Sequence, residues 1–339
     1  LEKIGQERGY CGGFPNGYNI GDYYFFKPRG KGHGAAIICL EAARKFRSLG
    51  GEIYFNTAIK SIIKEGDTVT GAIAHTKSGE EVRISCKALI VASGGYSDNP
   101  EMIKEATGHI YTNNNCDGDG NILFNTLPNA KMMGDGQKAV WAIGGAKGAM
   151  GVNGHNLVPG PGIIGNNPWI VYNQIRTIQE QPYLWVNQLG ERFINEAMSN
   201  DHMSMGTAIS NQPKKCAYII FDEDTKLHME NEGLEYIYHI FPAEKLDNVE
   251  AQFDKLINVK GNKHVFMTDT IEELCQKTGI DKEGLKATLK KYNKYCDNGY
   301  DEDFAKNAAF LRPVRRGKFY ALRVFKGGYQ GMGGIKING

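Results

Sequence analysis

The run Ala-Leu-Ile-Val-Ala at residues 88–92 leads directly into Ser93-Gly94-Gly95, and this junction restricts the fold more than any other stretch of the sequence. A continuous apolar run, without alternation, predicts a strand covered on both faces, as in a parallel sheet flanked by helices. The two glycines at its end let the backbone turn tightly or lie against a flat ligand. Glycine is abundant throughout: 43 of 339 residues, about 13% against a usual ~7%, with 11 prolines and no collagen-like period. In an otherwise globular chain that excess points to ligand-contacting loops.

The rest of the sequence supports a mixed α/β chain of about two domains. Residues 35–49 carry apolar positions at helical spacing and stop at Gly50-Gly51. Residues 52–93 read as β structure with turns at "EGD" and "KSGE". Residues 136–149 read as a short helix broken by glycine, and 151–182 as an irregular excursion. "YLWVNQLGERFINE" reads as a hairpin and "KKCAYIIFDEDT" as a strand. Residues 226–300 read as mostly helical, capped at Thr270 and Asp281, before "KFYALRVF" and "GIKING" return to β character.

Several function classes lose support at this level. A charge balance of +2, from 40 basic and 38 acidic residues, shows no basic stripe for a nucleic acid. No apolar run approaches the ~20 residues of a membrane-spanning helix. The seven cysteines lack a C-x-x-C pair, which argues against zinc or a disulfide framework and predicts a reducing, cytoplasmic home. The chain begins at Leu1 instead of an initiator Met, so an exported form stays open. The eight histidines show no paired metal spacing, and Asn113–Gly118 imitates a calcium loop without the Glu that its twelfth position needs. Gly30-x-Gly32-x-x-Ala35 meets the loose dinucleotide fingerprint, but Pro28 precedes it and the acidic Glu52 opens a strand. It reads better as a glycine loop near a cofactor than as the phosphate site itself.

Three elements together are more specific: Ala92-Ser93-Gly94-Gly95-Tyr96 after the apolar run, Gly134-Asp135-Gly136 before a small-residue helix, and Gly190–Glu196 ("GERFINE"). In that order, and with "GHGAAIICLEAARK", "FNTAIKSIIKEGDTVTGAIA" and "GMGGIKI", they resemble the fumarate reductase and succinate dehydrogenase flavoproteins, closest to the soluble flavocytochrome-c-type fumarate reductases. The resemblance implies an α/β plus α+β fold: a partial FAD-binding, Rossmann-like domain with an inserted capping domain that closes over substrate. Its divisions would be 1–137, 138–312 and 313–339, the last returning to the FAD-binding domain. The family's N-terminal G-x-G-x-x-G unit and C-terminal A-G-E-x-x-G-G element have no counterpart in these 339 residues. The chain therefore reads as a central portion, expected to retain FAD weakly or not at all by itself.

Position by position, the resemblance implies FAD contacts at Gly34, Ala58, Ala92, Ser93, Gly94, Gly95, Asp135 and Gly136. It implies hydride transfer between flavin and a carbon–carbon double bond, with an arginine as proton donor. That arginine's position, four after F-x-N-E, is Asn200. A substrate histidine and threonine before "M-G-G" are replaced by Tyr329-Gln330 and Gly331. His155, Asn200, His202 and Tyr329, with Tyr172 and Arg176, are the substrate-pocket candidates. These departures predict a small organic substrate other than fumarate. An electron-donor protein or haem module is an expected type of partner, although no haem module is visible in the sequence. A non-catalytic binding or scaffold role is the alternative.

Overall fold

The computed structural model describes residues 6–9, 23–26, 34–108, 111–112, 122–124, 132–157, 174–236 and 244–338. Two compact units emerge, residues 1–89 and 90–339.

In the first unit, β1 (Gln6–Gly9) pairs antiparallel with β2 (Tyr23–Phe26), and α1 (Gly34–Ser48) ends at the glycine pair as expected. β3 (Thr57–Glu65), β4 (Thr68–Thr76) and β5 (Glu81–Ser85) form an antiparallel meander whose two turns are the predicted "EGD" and "KSGE". Ile62, Ala72 and Ala74 are its buried residues.

The second unit contains α2 (Pro100–Thr107), β6 (Tyr111–Thr112), β7 (Ile122–Phe124), α3 (Asp135–Ala142), β8 (Lys147–Leu157), β9 (Leu184–Val186) and α4 (His202–Ser210). β10 (Cys216–Asp222), α5 (Glu223–Asn231), α6 (Val249–Asp254), β11 (Val265–Thr268), α7 (Ile271–Thr278), α8 (Lys282–Asn298) and β12 (Phe319–Ile335) follow. The 17-residue β12 organises the sheet. Its first half pairs antiparallel with β10 and β11; its second half pairs with β8 antiparallel and β7 parallel.

The period of two along the strands explains why "CAYIIFD" reads as unbroken apolar sequence. Ala217, Ile219 and Phe221 of β10, with Tyr320, Leu322 and Val324 of β12 and Trp185 of β9, enter one core. Cys216, Tyr218 and Ile220, with Phe319, Ala321 and Phe325, and Leu184 and Val186, enter another on the opposite face. Helices cover both faces: Met205 and Ile209 of α4, Met229 of α5 and Phe253 of α6 on the first, Leu274 of α7 and Leu285, Leu289 and Tyr292 of α8 on the second. A strand so covered has no polar side to display. Caps set the helices as read: Thr270 accepts from Glu273 N–H at 3.1 Å and Asp281 from Gly284 N–H at 2.7 Å.

Four expectations are corrected. Residues 88–92 form no strand, and Ile90 is 90% exposed, because no described strand pairs with them to cover either side. "YLWVNQLGERFINE" is not a hairpin but β9 followed by a turn. Asn187 Oδ1 accepts the Leu189 and Glu191 N–H groups there, and β9 pairs with the later strand β10. The helix expected over 136–149 stops at Ala142, and the chain continues as β8. The helical stretch 226–300 contains β11 in its middle.

The segment between β9 and α4 is held by buried charge. The Arg192 guanidinium donates to both Glu196 oxygens, each at 2.8 Å, and to Asp301 Oδ1 and Oδ2 at 2.9 and 2.8 Å. Lys306 Nζ lies 3.4 Å from Glu196 Oε2 and donates to Tyr292 Oη at 2.9 Å. The guanidinium is sandwiched between the Tyr292 and Phe304 rings, 4.9 Å from each centroid. The ion pairs hold the Arg192 proton more tightly and pull Asp301 below its ordinary range, whereas burial lowers Lys306. Removing one charge strands its opposites in a dry site, which typically costs ~3–5 kcal/mol. Arg192→Met is expected to lower unfolding free energy by about that amount. Chemical denaturation checks this; a loss under ~1 kcal/mol contradicts a desolvated network.

Candidate active site

The predicted glycine junction forms one corner of the second unit. Gly94 has a φ of 80°, and among the described residues a Cβ there would have only Met132 Cγ, at 3.9 Å, within 4 Å, and one on Gly95 would meet nothing. This strip of backbone therefore has an open face. On its other side it is laced to the start of α3: Gly134 N–H donates to Gly95 O at 3.1 Å, and Gln137 Nε2 donates to Gly94 O at 3.0 Å. Gly136 allows that approach, since a Cβ there would fall 2.0 Å from Ser93 Oγ. Asp135, the first residue of α3, is exposed, and among the described residues no side chain caps the helix. Gln137 Oε1 is buried without a hydrogen-bond partner among the described residues.

Tyr96 fixes the same corner to β8 and β12. Its hydroxyl reaches the Gly151 and Met332 carbonyls at 2.6 and 2.7 Å and accepts the Gly151 N–H at 3.1 Å. Its ring fills the space above Gly331, where a Cβ would meet ring carbons at 2.9 Å. Ser97 Oγ accepts the Gly331 N–H at 2.9 Å. Gly331, in place of threonine, is thus the steric counterpart of Tyr96.

A second cluster forms around Glu180. Residues Gln174–Glu180 form a short 3-10 helix buried from Ile175 onward. Glu180 is 2% exposed; its Oε1 accepts from Gln179 Nε2 at 3.1 Å, and its Oε2 lies 3.2 Å from His202 Nε2. Ser199 Oγ donates to the Glu180 backbone carbonyl at 2.7 Å, which ties the residue before Asn200 to the end of the 3-10 helix. Asp201 caps α4 through the Met203 and Ser204 N–H groups, both at 3.1 Å, and so sets His202 in its first turn. Burial raises the Glu180 carboxyl to about 8, against lowering by the Gln179 hydrogen bond and the Arg176 charge.

The structure brings some predicted positions together and leaves others apart. α4 packs on β8 and β12, the strands that carry His155 and Tyr329, and His155 is paired with Gly327, two residues before Tyr329. Arg176 and His202 share the Glu180 cluster, and Asn200 follows Ser199, which bonds to the Glu180 backbone. Ala92, Ser93, Gly94, Gly95, Asp135 and Gly136 share the glycine corner. Gly34 opens α1 and Ala58 lies on β3 opposite His75, both in the first unit. A shallow hollow lined by Phe55, Asn56, Thr57, Thr76, Lys77 and Ser78 adjoins Ala58. Tyr172, the Gly30–Gly32 loop and the Asn113–Gly118 loop lie outside the described residues. Among the described residues, no group of three or more His, Cys, Asp or Glu is placed to hold a metal ion. No described helix is long and apolar enough to cross a membrane.

Sequence reasoning missed Glu180, Gln137 and the Tyr96–Gly331 fit. The one available signal was Glu180 itself, an acid within the amide-rich "IRTIQEQP".

The Glu180 shift sets a sign for stability against pH. Between its ordinary 4.5 and about 8, the folded chain holds a proton that the unfolded chain has released. Stability therefore falls as pH rises through that window. Glu180→Gln removes this loss, so the variant should gain thermal stability relative to the parent on going from pH 5 to pH 9. Melting curves across that range check it; a constant difference contradicts a buried neutral carboxyl.

Residues 15–339 match the model of the "FAD binding domain" family. The vinyl phenol reductase of Lactiplantibacillus plantarum is 29% identical over 319 residues, covering 91% of this chain and 61% of the relative. The NADH:fumarate oxidoreductase of Klebsiella pneumoniae is 27% identical over 295 residues, covering 87% and 27%. The chain thus spans less than two thirds of the length of either relative. The open conformation of a flavocytochrome c3 fumarate reductase shares the fold, with a TM-score of 0.58 and 23% identity over 99% of this chain and 51% of that one. The chain belongs to the FAD binding domain family.

Proposed function

We propose that the protein is an FAD-dependent oxidoreductase acting on a carbon–carbon double bond of a small organic substrate other than fumarate. The family match over residues 15–339 carries this reading. The glycine corner fits the cofactor: it offers backbone with an open face, an exposed Asp135 at a helix start and a buried, unpartnered Gln137 Oε1. When bound, FAD supplies the hydride chemistry. Ala92, Ser93, Gly94 and Gly95 would line its adenine–ribose–pyrophosphate part, with Gly34 and the Ala58 backbone toward the adenine and Asp135 and Gly136 toward the isoalloxazine. Residues 1–137 and 313–339 would serve cofactor binding, and 138–312 would cap the substrate.

Tyr329-Gln330, Gly331 and Asn200 replace groups that suit an acidic substrate, and the vinyl phenol reductase among the relatives acts, by its name, on a substrate without a carboxylate. These support a less acidic or larger acceptor, held by groups from His155, Asn200, His202, Tyr329, Tyr172 and Arg176. An electron-donor protein or haem module would deliver the reducing equivalents, and the cysteine pattern supports a cytoplasmic location.

The FAD-reconstituted protein, with reduced viologen as electron donor, should turn over at least one of a vinyl phenol, urocanate or an enone faster than fumarate. Fumarate as the best acceptor would refute the substrate assignment. Absence of turnover with every acceptor would favour a non-catalytic binding role.

A further inference from the structure

We propose that His202, backed by Glu180, delivers the proton that completes reduction of the double bond. The inference rests on the function proposed above and assigns the proton donor that Asn200, an amide, cannot be.

The argument begins with a contrast among three buried carboxylates. Glu196 and Asp301 have every oxygen met by Arg192, and Lys306 or backbone N–H groups add further contacts. The ion pair with Arg192 holds the Asp301 carboxyl below its ordinary range. Glu180 is as deeply buried but has an amide donor on one oxygen and the His202 ring at 3.2 Å from the other. Oε2 accepts no hydrogen bond among the described residues. A carboxyl in that setting holds a transferable proton, and its neighbour is the side chain best suited to pass one on near neutral pH.

Position supports the same assignment. His202 is partly exposed, with 19% of its side chain accessible, while Glu180 is enclosed. The imidazole is therefore the member that can touch a substrate, and Glu180 is a positioning residue acting through it. α4, which begins at His202, packs on β8 and β12. Arg176 and Asp201 are the charged groups at the pair; of the two strands packed on α4, β8 carries Lys147, which is engaged by Glu105, and β12 carries Lys326. β10 turns the apolar Ala217, Ile219 and Phe221 toward the core that contains Met205 and Ile209 of α4.

The step balances. Hydride, supplied by reduced FAD, bonds to one alkene carbon, and the π electron pair at the other takes a proton from the His202 ring. The Glu180 proton crosses to Nε2, leaving a neutral imidazole and a carboxylate, which a proton from solvent restores between turnovers. Bound reduced FAD would supply the hydride and with it both electrons that the acceptor gains.

The test uses the FAD-loaded protein and two readouts. His202→Gln should lower kcat by ~100-fold or more with KM changed only a few-fold. Glu180→Gln should move the alkaline limb of the kcat–pH profile, expected near pH 8 in the parent, toward lower pH. Without any turnover, 13C-labelled imidazole NMR should show the His202 titration midpoint falling by at least one pH unit in Glu180→Gln, as the shared proton is lost. A His202→Gln enzyme within threefold of parental kcat, or a His202 titration indifferent to Glu180, overturns the proposal while leaving the function intact. A parent inactive on every alkene overturns the function and the proton donor together. If His202→Gln does not fold, the Glu180→Gln pH profile and titration decide.

Discussion

Arg192, Lys306, Glu196 and Asp301 place two positive and two negative charges in a site almost without water, and the segment that shapes the candidate active site hangs from them. Arg192 and Glu196 lie within "GERFINE"; Asp301 and Lys306 come from the chain after α8, more than a hundred residues later. No apolar contact fixes distance and orientation as narrowly as a bidentate guanidinium–carboxylate pair. The aromatic faces of Tyr292 and Phe304 remove the competing water, which strengthens the pairs and raises the penalty for losing one partner. Asn195 continues the anchor by donating to the Phe304 carbonyl at 3.0 Å. Ser199, Asn200 and His202 follow within seven residues of Asn195, so their positions inherit its rigidity.

The long strand β12 supplies the second constraint. Its first half alternates between two apolar cores and behaves as the middle of a doubly covered sheet. Its second half is mostly glycine, from Gly327 to Gly334, where the register with β8 shifts twice. Side chains vanish where backbone must pass close to Tyr96, and the Tyr96 hydroxyl takes up carbonyls on both β8 and β12. One strand thus connects a rigid hydrophobic body to a glycine-lined corner without a flexible joint.

Much of this was legible because it is local. The meander turns, α1 with its glycine stop, the caps at Thr270 and Asp281 and the apolar strand β10 follow from short-range pattern. Errors arose where partners lie far away in sequence. β9 carries the alternation of a hairpin arm but pairs with β10, and 88–92 has the composition of a buried strand while lacking a described neighbour. In the site, the resemblance located Asn200 and the glycine corner, but the fit of Tyr96 against Gly331 spans 235 residues and the Glu180–His202 contact spans 22. No periodicity encodes either. Glycine itself proved an ambiguous signal: at Gly94 and Gly95 it leaves a face open, whereas at Gly136 and Gly331 it admits another part of the same chain.

The stretch from Glu180 to His202 therefore combines two opposite uses of a buried acid. Glu196 is saturated by cations, and its value is geometric: it holds its neighbours in place. Glu180 is undersaturated, so burial favours its neutral form and leaves it a proton to share with the imidazole beside it. The first arrangement makes the second workable. A proton can pass across a 3.2 Å contact only if that distance persists, and a loop free to drift by an ångström would break it. The saturated network sets the geometry in which an undersaturated carboxyl can act.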